Sequence, residues 1–177
     1  MTHRPATGAS ERAGEAIALA RELFLDDRNE HGCAETAYLA LARAYGLDEV
    51  RTSAPAMALN GGLAYSGGPC GAITGAALAV GLLAEQRIPD HRAAKRVARE
   101  LTGRLMDDFV REHGALDCRD LIGLDLRAPG AHEAFIASGV WRDRCMRQIE
   151  FSLRSLAPLA DPAAWERAVG EIGPAGG

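Results

Sequence analysis

Four cysteines are the residues of this chain with the most distinctive chemistry. They are Cys33, Cys70, Cys118 and Cys145. A thioredoxin-type redox site keeps its two thiols within one helical turn, and zinc ribbons use paired local ligands, so the lack of any C-x-x-C pair speaks against both. The four thiols lie far apart along the chain, so they can act together only if the tertiary structure brings them to one place.

Three of the cysteines stand at the predicted starts of helical segments, where a thiolate is stabilised. Cys33 and Cys70 follow glycine-containing segments, and Cys118 follows an aspartate. A helix N-terminus offers unpaired N–H donors and a partial positive charge, which favour the ionised thiol and lower its pKa. Glycine-rich backbone adds further N–H groups that can point at sulfur, as they do around iron–sulfur clusters.

The fourth cysteine, Cys145, falls in the middle of a predicted helix, with Arg142 one turn before it. Four thiolates at one site would repel one another strongly, so their convergence implies a cation, either a metal ion or an iron–sulfur core. The alternative is that the cysteines are buried as small hydrophobic side chains, which is a common role for free cysteine.

The elements that must position these thiols are predicted to be helices. Hydrophobic residues make up 47% of the chain and aromatic residues 5%, and no segment alternates apolar and polar residues as a half-buried strand would. We therefore predict an all-α fold: a single domain over residues 1–177, built as a bundle of about five main helices around a buried central helix at 70–86. Residues 1–9 and 171–177 are predicted to be frayed tails.

Apolar spacing and helix-ending residues give the bounds of these helices. The main ones are predicted at 10–24, 33–45, 70–86, 91–113 and 140–157, and the shorter ones at 118–122, 132–138 and after Asp161. The central helix carries no charge before Glu85, which is typical of a helix enclosed by others. Gly71, Gly75 and Ala79 share one of its faces, so we expect another backbone to approach closely there.

Composition and motifs exclude several kinds of partner. The net charge is −4 and no cluster of lysine and arginine occurs, so the chain has no means of holding a nucleic-acid backbone. No phosphate-binding glycine motif is present, which excludes a nucleotide. The longest uncharged apolar run, 72–84, is too short to span a membrane, and the N-terminus has no apolar signal segment. We expect a cytoplasmic protein with reduced thiols rather than static disulfides.

The segment 70–75, CGAITG, resembles the C-G-A-x-x-G motif of the small redox-active proteins named after the pattern C_GCAxxG_C_C. That family carries one cysteine before the motif and two after it, and Cys33, Cys118 and Cys145 match these positions in order. The resemblance covers about residues 32–156 and implies a redox activity that depends on the cysteines. A more distant similarity to the iron–sulfur-bearing part of split-Soret cytochromes does not imply haem, because no C-x-x-C-H site is present.

The sequence and the resemblance together predict one site that binds an iron–sulfur cluster or another thiophilic metal, for electron transfer or redox sensing. Its metal ligands and redox-active groups are expected to be Cys33, Cys70, Cys118 and Cys145. Backbone contacts to the cofactor are expected from Gly67, Gly68, Gly71 and Gly75.

Two alternatives stay open. One is a metal-free thiol–disulfide protein that uses Cys33 and Cys70. The other is a non-catalytic helical module with buried cysteines, whose Gly71/Gly75/Ala79 face packs against a second copy of the chain as a homodimer. The sequence does not decide whether the protein is an enzyme, what its electron donor or acceptor is, or what His31, His113 and His132 do.

Overall fold

The computed structural model describes residues 9–173 and shows a bundle of helices, without strands, in that range. Two short 3-10 helices, Ala54–Leu59 and Ala157–Ala160, accompany the α-helices. The α-helices are α1 (Ala9–Phe24), α2 (Cys33–Ala44), α3 (Gly71–Arg87), α4 (His91–His113), α5 (Cys118–Ile122), α6 (Ala131–Ser138), α7 (Trp141–Leu156) and α8 (Pro162–Ile172). The predicted all-α fold is confirmed, and the five longest helices are the five predicted as main.

Local residues set several of the helix ends. Asp90 caps α4 by accepting a hydrogen bond from the N–H of Ala93 at 2.8 Å. Asp161 caps α8 in the same way, accepting from the N–H of Ala164 at 2.9 Å. Gly114 ends α4 with a φ angle of 83°, a left-handed conformation that glycine adopts without steric cost. These helix ends therefore follow from residues next to them in the sequence.

Helix α3 lies at the centre of the core, as the charge-free sequence predicts. It packs against α2, α4 and α7. Ala72, Ala76, Val80 and Leu83 of this helix are fully buried. The predicted buried central helix is confirmed, and its N-terminus is the point from which Cys70 enters the candidate site.

Helix α2 approaches α3 over its small-residue face. A Cβ atom on Gly75 would lie 2.8 Å from the carbonyl carbon and 2.9 Å from the Cα atom of Ala34, so only glycine fits there. Gly71 faces the same residue, and Ala79 is fully buried. The predicted close backbone contact is confirmed. Its partner is α2 of the same chain, so the interpretation of this face as a contact with a second copy was wrong.

Both ends of the described range lie in or next to helices. Ala9 belongs to α1, and Glu171 and Ile172 belong to α8. Glu171 forms an ion pair with Arg104 of α4 at 2.9 Å. Residues 1–8 and 174–177 lie outside the described residues. Within the described part of the chain, no helix is long and apolar enough to cross a membrane.

Candidate functional site

One cavity of about 180 Å³ brings together three of the four thiols. Cys33, Cys118 and Cys145 line it, so that α2, α5 and α7 each contribute one cysteine. Cys70 is buried at the start of α3, and a charge on any of the other three thiols would raise its pKa. The remaining lining includes four aromatic side chains, Phe24, Tyr65, Phe135 and Trp141, and two carboxylates, Glu30 and Glu35. Sulfur atoms from four elements therefore lie within electrostatic range of one another.

Main-chain amides converge on the sulfur of Cys33, the first residue of α2. The backbone amides of Gly61, Ala34, Gly71 and Cys33 itself lie near this sulfur, and each of them lowers its pKa. A nest of this kind favours an anionic sulfur. A Cβ atom on Gly71 would overlap the Cys33 sulfur, so the glycine leaves the space that this thiol occupies.

Asn60 holds the start of α2 from a distant loop. Its Oδ1 accepts hydrogen bonds from the N–H of Ala34 at 3.0 Å and from the thiol of Cys33 at 3.9 Å. Its Nδ2 donates to Glu35 Oε2 at 2.8 Å, and the other carboxylate oxygen of Glu35 accepts from Ser53 at 2.8 Å. Asn60 thus supplies the side-chain cap that the glycine at the N-cap of α2 cannot supply, and it points an acceptor at the thiol.

A short antiparallel bridge joins the segments that precede Cys70 and Cys118. The N–H of Cys70 donates to the carbonyl of Leu116 at 2.9 Å, and the N–H of Cys118 donates to the carbonyl of Gly68 at 2.7 Å. The carbonyl of Gly67 accepts from the next residue of that segment at 3.1 Å. Gly67 and Gly68 therefore fix the two cysteine segments through backbone bonds and do not line the cavity.

Cys145 lies on the buried face of α7, as its spacing predicts. The cation that lowers its pKa is Arg144. Arg142, which the sequence suggested for this role, donates instead to Asp27 at 2.9 Å and to the carbonyl of Leu25 at 3.0 Å. The expectation for Arg142 was wrong because the loop after α1 binds its guanidinium group.

Residues 31–157 match the family model described as "putative redox-active protein (C_GCAxxG_C_C)". This range contains all four cysteines and more than half of the chain. The chain belongs to the C_GCAxxG_C_C family. No curated protein and no solved structure matches it.

Burial raises the pKa of every thiol in this C_GCAxxG_C_C protein. The pKa of Cys118 rises to about 12, and those of Cys70 and Cys145 rise well above the ordinary value. The pKa of Cys33 is also raised, because desolvation outweighs the opposing effect of the four nearby amides. The expectation that helix starts lower the thiol pKa values was therefore wrong. The buried cysteines are neutral thiols at pH 7, and Cys70 donates to Gln148 Oε1 at 3.5 Å.

Because the folded protein keeps its thiols protonated, we expect the reduced, metal-free protein to become less stable at alkaline pH. The folded pKa of Cys118 lies above its ordinary value of 9.0, so the folded state keeps a proton that the unfolded chain loses. The stability that this proton contributes is complete below pH 9 and is lost as the pH rises toward 12. Over this range the free energy of unfolding falls with a slope approaching about 1.4 kcal/mol per pH unit. Urea unfolding across this range should show a shallower decline in Cys118→Ser. Equal slopes in the two proteins would contradict the assignment.

A turn with unusual backbone geometry forms part of the cavity rim. Residues 61–65 all have left-handed φ angles, between 49° and 73°, and three of them are not glycine. Such a run is sterically costly, and strain of this kind is concentrated at functional sites. Within the turn, the Gly61 amide lowers the pKa of Cys33, and Tyr65 packs against His132 with ring centroids 4.6 Å apart. The strained turn therefore contacts both the thiols and the opening of the cavity.

The three histidines fall in different surroundings. His132 lines the thiol cavity, whereas His31 lines a separate surface depression and His113 packs against Phe109 with ring centroids 4.4 Å apart. Three residues that act on the thiols through polar groups have no signal in the sequence; they are Asn60, Gly61 and Gln148. The Asn-Gly-Gly run at 60–62 is typical of a turn, but nothing local in the sequence shows which thiol it contacts.

Proposed function

We propose that this protein binds an iron–sulfur cluster through Cys33, Cys70, Cys118 and Cys145 and uses it to transfer or sense electrons. The proposal rests on the three thiols that share one cavity, with the fourth in electrostatic contact with all of them. Thiolates are the usual protein ligands of such clusters, and four of them suit the donor set. Membership of a redox-active family supports the same conclusion.

An iron–sulfur cluster is compatible with thiols that are spread around a cavity, as three of these four are. Sulfur atoms bound tetrahedrally at about 2.3 Å from one ion are about 3.8 Å apart. Among residues 9–173, no group of three or more histidine, cysteine, aspartate or glutamate side chains is arranged to hold a single ion. A cluster has several iron atoms, each of which takes its own thiolate, so it suits sulfur atoms that surround a cavity rather than one point.

The chain's own groups would then hold anionic sulfur in a cavity that is lined by both aromatic and polar side chains. The amides of Gly61 and Gly71 lower the pKa of Cys33, and hydrogen bonds to cluster sulfurs are one of the factors that set a reduction potential. When bound, the cluster would supply one-electron chemistry. Gly67, Gly68 and Gly75 would act through backbone packing that holds the cysteine segments in place.

Anaerobic purification or reconstitution with iron and sulfide tests this proposal. We expect visible absorbance with stoichiometric iron and acid-labile sulfide, and near-complete loss of both in Cys33→Ser or Cys118→Ser. Met146→Leu is a matched control, because Met146 is a buried neighbour of Cys145 and this exchange nearly conserves volume. Colourless, iron-free wild-type protein after reconstitution would refute the proposal, provided that circular dichroism shows it to be folded.

A metal-free dithiol protein is the second candidate, favoured by the closeness of Cys33 and Cys70. The Cys33 sulfur abuts Gly71, the residue after Cys70, and among charged groups Cys33 has the largest effect on the pKa of Cys70. Both cysteines are free thiols in the structure. Formation of the disulfide would release two protons and pass two electrons to an external acceptor. A reversible two-electron couple in iron-free protein, abolished by Cys33→Ser, would support this candidate instead of the cluster.

A further inference from the structure

A second cavity, of about 360 Å³, lies along the outer face of α7 and is rich in arginine. Arg144, Arg147 and Arg154 line it, and their spacing places them on one side of the helix. His113, at the end of α4, closes it on another side, and Glu112 is the only carboxylate among the lining residues that the structure describes. We call this cavity the arginine pocket.

The arginines keep donors available for a ligand. Arg147 pairs with Asp143 at 2.7 Å and Arg154 pairs with Glu150 at 2.6 Å, both along α7. Each guanidinium group has five N–H donors, so one carboxylate does not satisfy it. Arg144 donates to the carbonyls of Leu121 and Ile122 at 3.5 and 3.3 Å; no ion pair with a carboxylate is present for it in the described part of the chain. The lining therefore carries more positive than negative charge.

His113 provides an independent sign of a missing partner. Its Nε2 atom is buried and has no hydrogen-bond partner among the described residues. Its ring is held between Phe109 and Phe151, with ring centroids 4.4 and 5.2 Å away. Buried polar atoms in folded proteins almost always have a partner, so this ring nitrogen is available to bind a ligand beside the cationic cavity.

We propose that the arginine pocket binds a small oxyanion, either a carboxylate or a phosphate group. Guanidinium groups bind both through paired N–H donors, and such charge-assisted hydrogen bonds are stronger than neutral ones. With its proton on Nε2, His113 would add one further donor. No residue of the pocket is a cysteine, so this proposal does not depend on the proposed cluster.

The pocket also touches the thiol site through two shared residues. Gln148 lines the pocket and accepts the hydrogen bond of Cys70, and Arg144 lines the pocket and lowers the pKa of Cys145. The pocket therefore lies next to the thiol site.

Calorimetric titration of the full chain with inorganic phosphate and with succinate tests this inference. The ring signals of His113 in NMR spectra are a second readout, and sodium chloride at equal ionic strength controls for screening. We expect saturable binding of one of the two anions, which identifies the natural group, and about tenfold weaker binding in Arg147→Gln and in Arg154→Gln. Arg92→Gln is the matched control, since this exposed arginine lies at the opposite end of α4, about 30 Å along the helix.

Several results would overturn the proposal. One is a response to phosphate and succinate no larger than the response to chloride. Another is equal weakening in Arg92→Gln and Arg147→Gln, which would show non-specific attraction. Saturable binding that leaves the His113 signals unchanged would place the anion elsewhere. Circular dichroism of each variant shows whether it is folded, and Arg147 and Arg154 are largely exposed, so their exchange should leave the core intact.

Discussion

Replacing Gly75 by alanine is expected to destabilise the protein by about 1–3 kcal/mol or more, an overpacking cost. The added Cβ atom would lie within 2.9 Å of backbone atoms of Ala34, where no side-chain rotation can relieve the overlap. Helices α2 and α3 would have to separate, although α3 lies at the centre of the core. Urea unfolding monitored by circular dichroism measures the change in the free energy of unfolding.

Gly81→Ala is the matched control within the same helix. A Cβ atom on Gly81 would meet nothing within 4 Å, so the exchange should stabilise α3 by up to about 1 kcal/mol. The two substitutions make the same chemical change and are expected to have opposite signs. Equal effects at the two positions would contradict the close approach of α2 at Gly75.

The same pair of variants separates packing from cofactor binding. Gly75 fixes the distance between α2, which begins at Cys33, and α3, which begins just after Cys70. On the proposed function, Gly75→Ala should bind less iron even in the fraction that remains folded, whereas Gly81→Ala should bind as much as the wild type. Unchanged iron content in folded Gly75→Ala would mean that this spacing does not set the geometry of the thiols.

Replacing Asn60 by aspartate is expected to destabilise the protein by about 2–4 kcal/mol at neutral pH. The exchange keeps the oxygen that caps α2 but removes the Nδ2 group, which donates to Glu35 Oε2 at 2.8 Å and to the carbonyl of Met57 at 3.1 Å. Two carboxylates would then face each other in a partly buried place. Protonation of one of the two carboxylates would remove their repulsion in the folded variant. Its free energy of unfolding should therefore rise as the pH falls toward about 5.

Asn29→Asp is the matched control for this charge change. Asn29 is exposed and has a φ angle of 52°, a conformation that aspartate also tolerates. Its exchange should change the free energy of unfolding by less than about 0.5 kcal/mol, with no comparable recovery at acid pH. If Asn60→Asp behaved like this control, Asn60 would not hold the start of α2 through Glu35.

Local signals in the sequence were sufficient for the helices and for most of their ends. Asp90 begins α4 by its capping hydrogen bond, and Gly114 ends this helix by its left-handed backbone conformation. The charge-free run after Cys70 predicted a buried helix. The motif glycines also predicted a close backbone contact, which Gly75 makes with Ala34. These features depend on residues within a few positions of one another, so they can be deduced without the fold.

Features of the site that join distant segments could not be predicted in the same way. Arg144, and not Arg142, is the cation that acts on Cys145, because a loop from the other end of the chain binds Arg142. The amide of Gly61 and the side chain of Asn60 reach Cys33 only after the chain has turned back on itself. Both residues lie more than 20 positions from Cys33 along the chain, so the local sequence does not predict these contacts.

The sequence by itself determined the family, the helical class and the four thiols that any redox chemistry would use. The tertiary structure alone decided that three thiols share one cavity, that α2 covers the small-residue face of α3, and that the thiols hold their protons. The reason is that helix formation depends on neighbouring residues, whereas desolvation depends on everything that packs around a group. A helix start favours a thiolate by a local field, and the surrounding core outweighs that field by removing water.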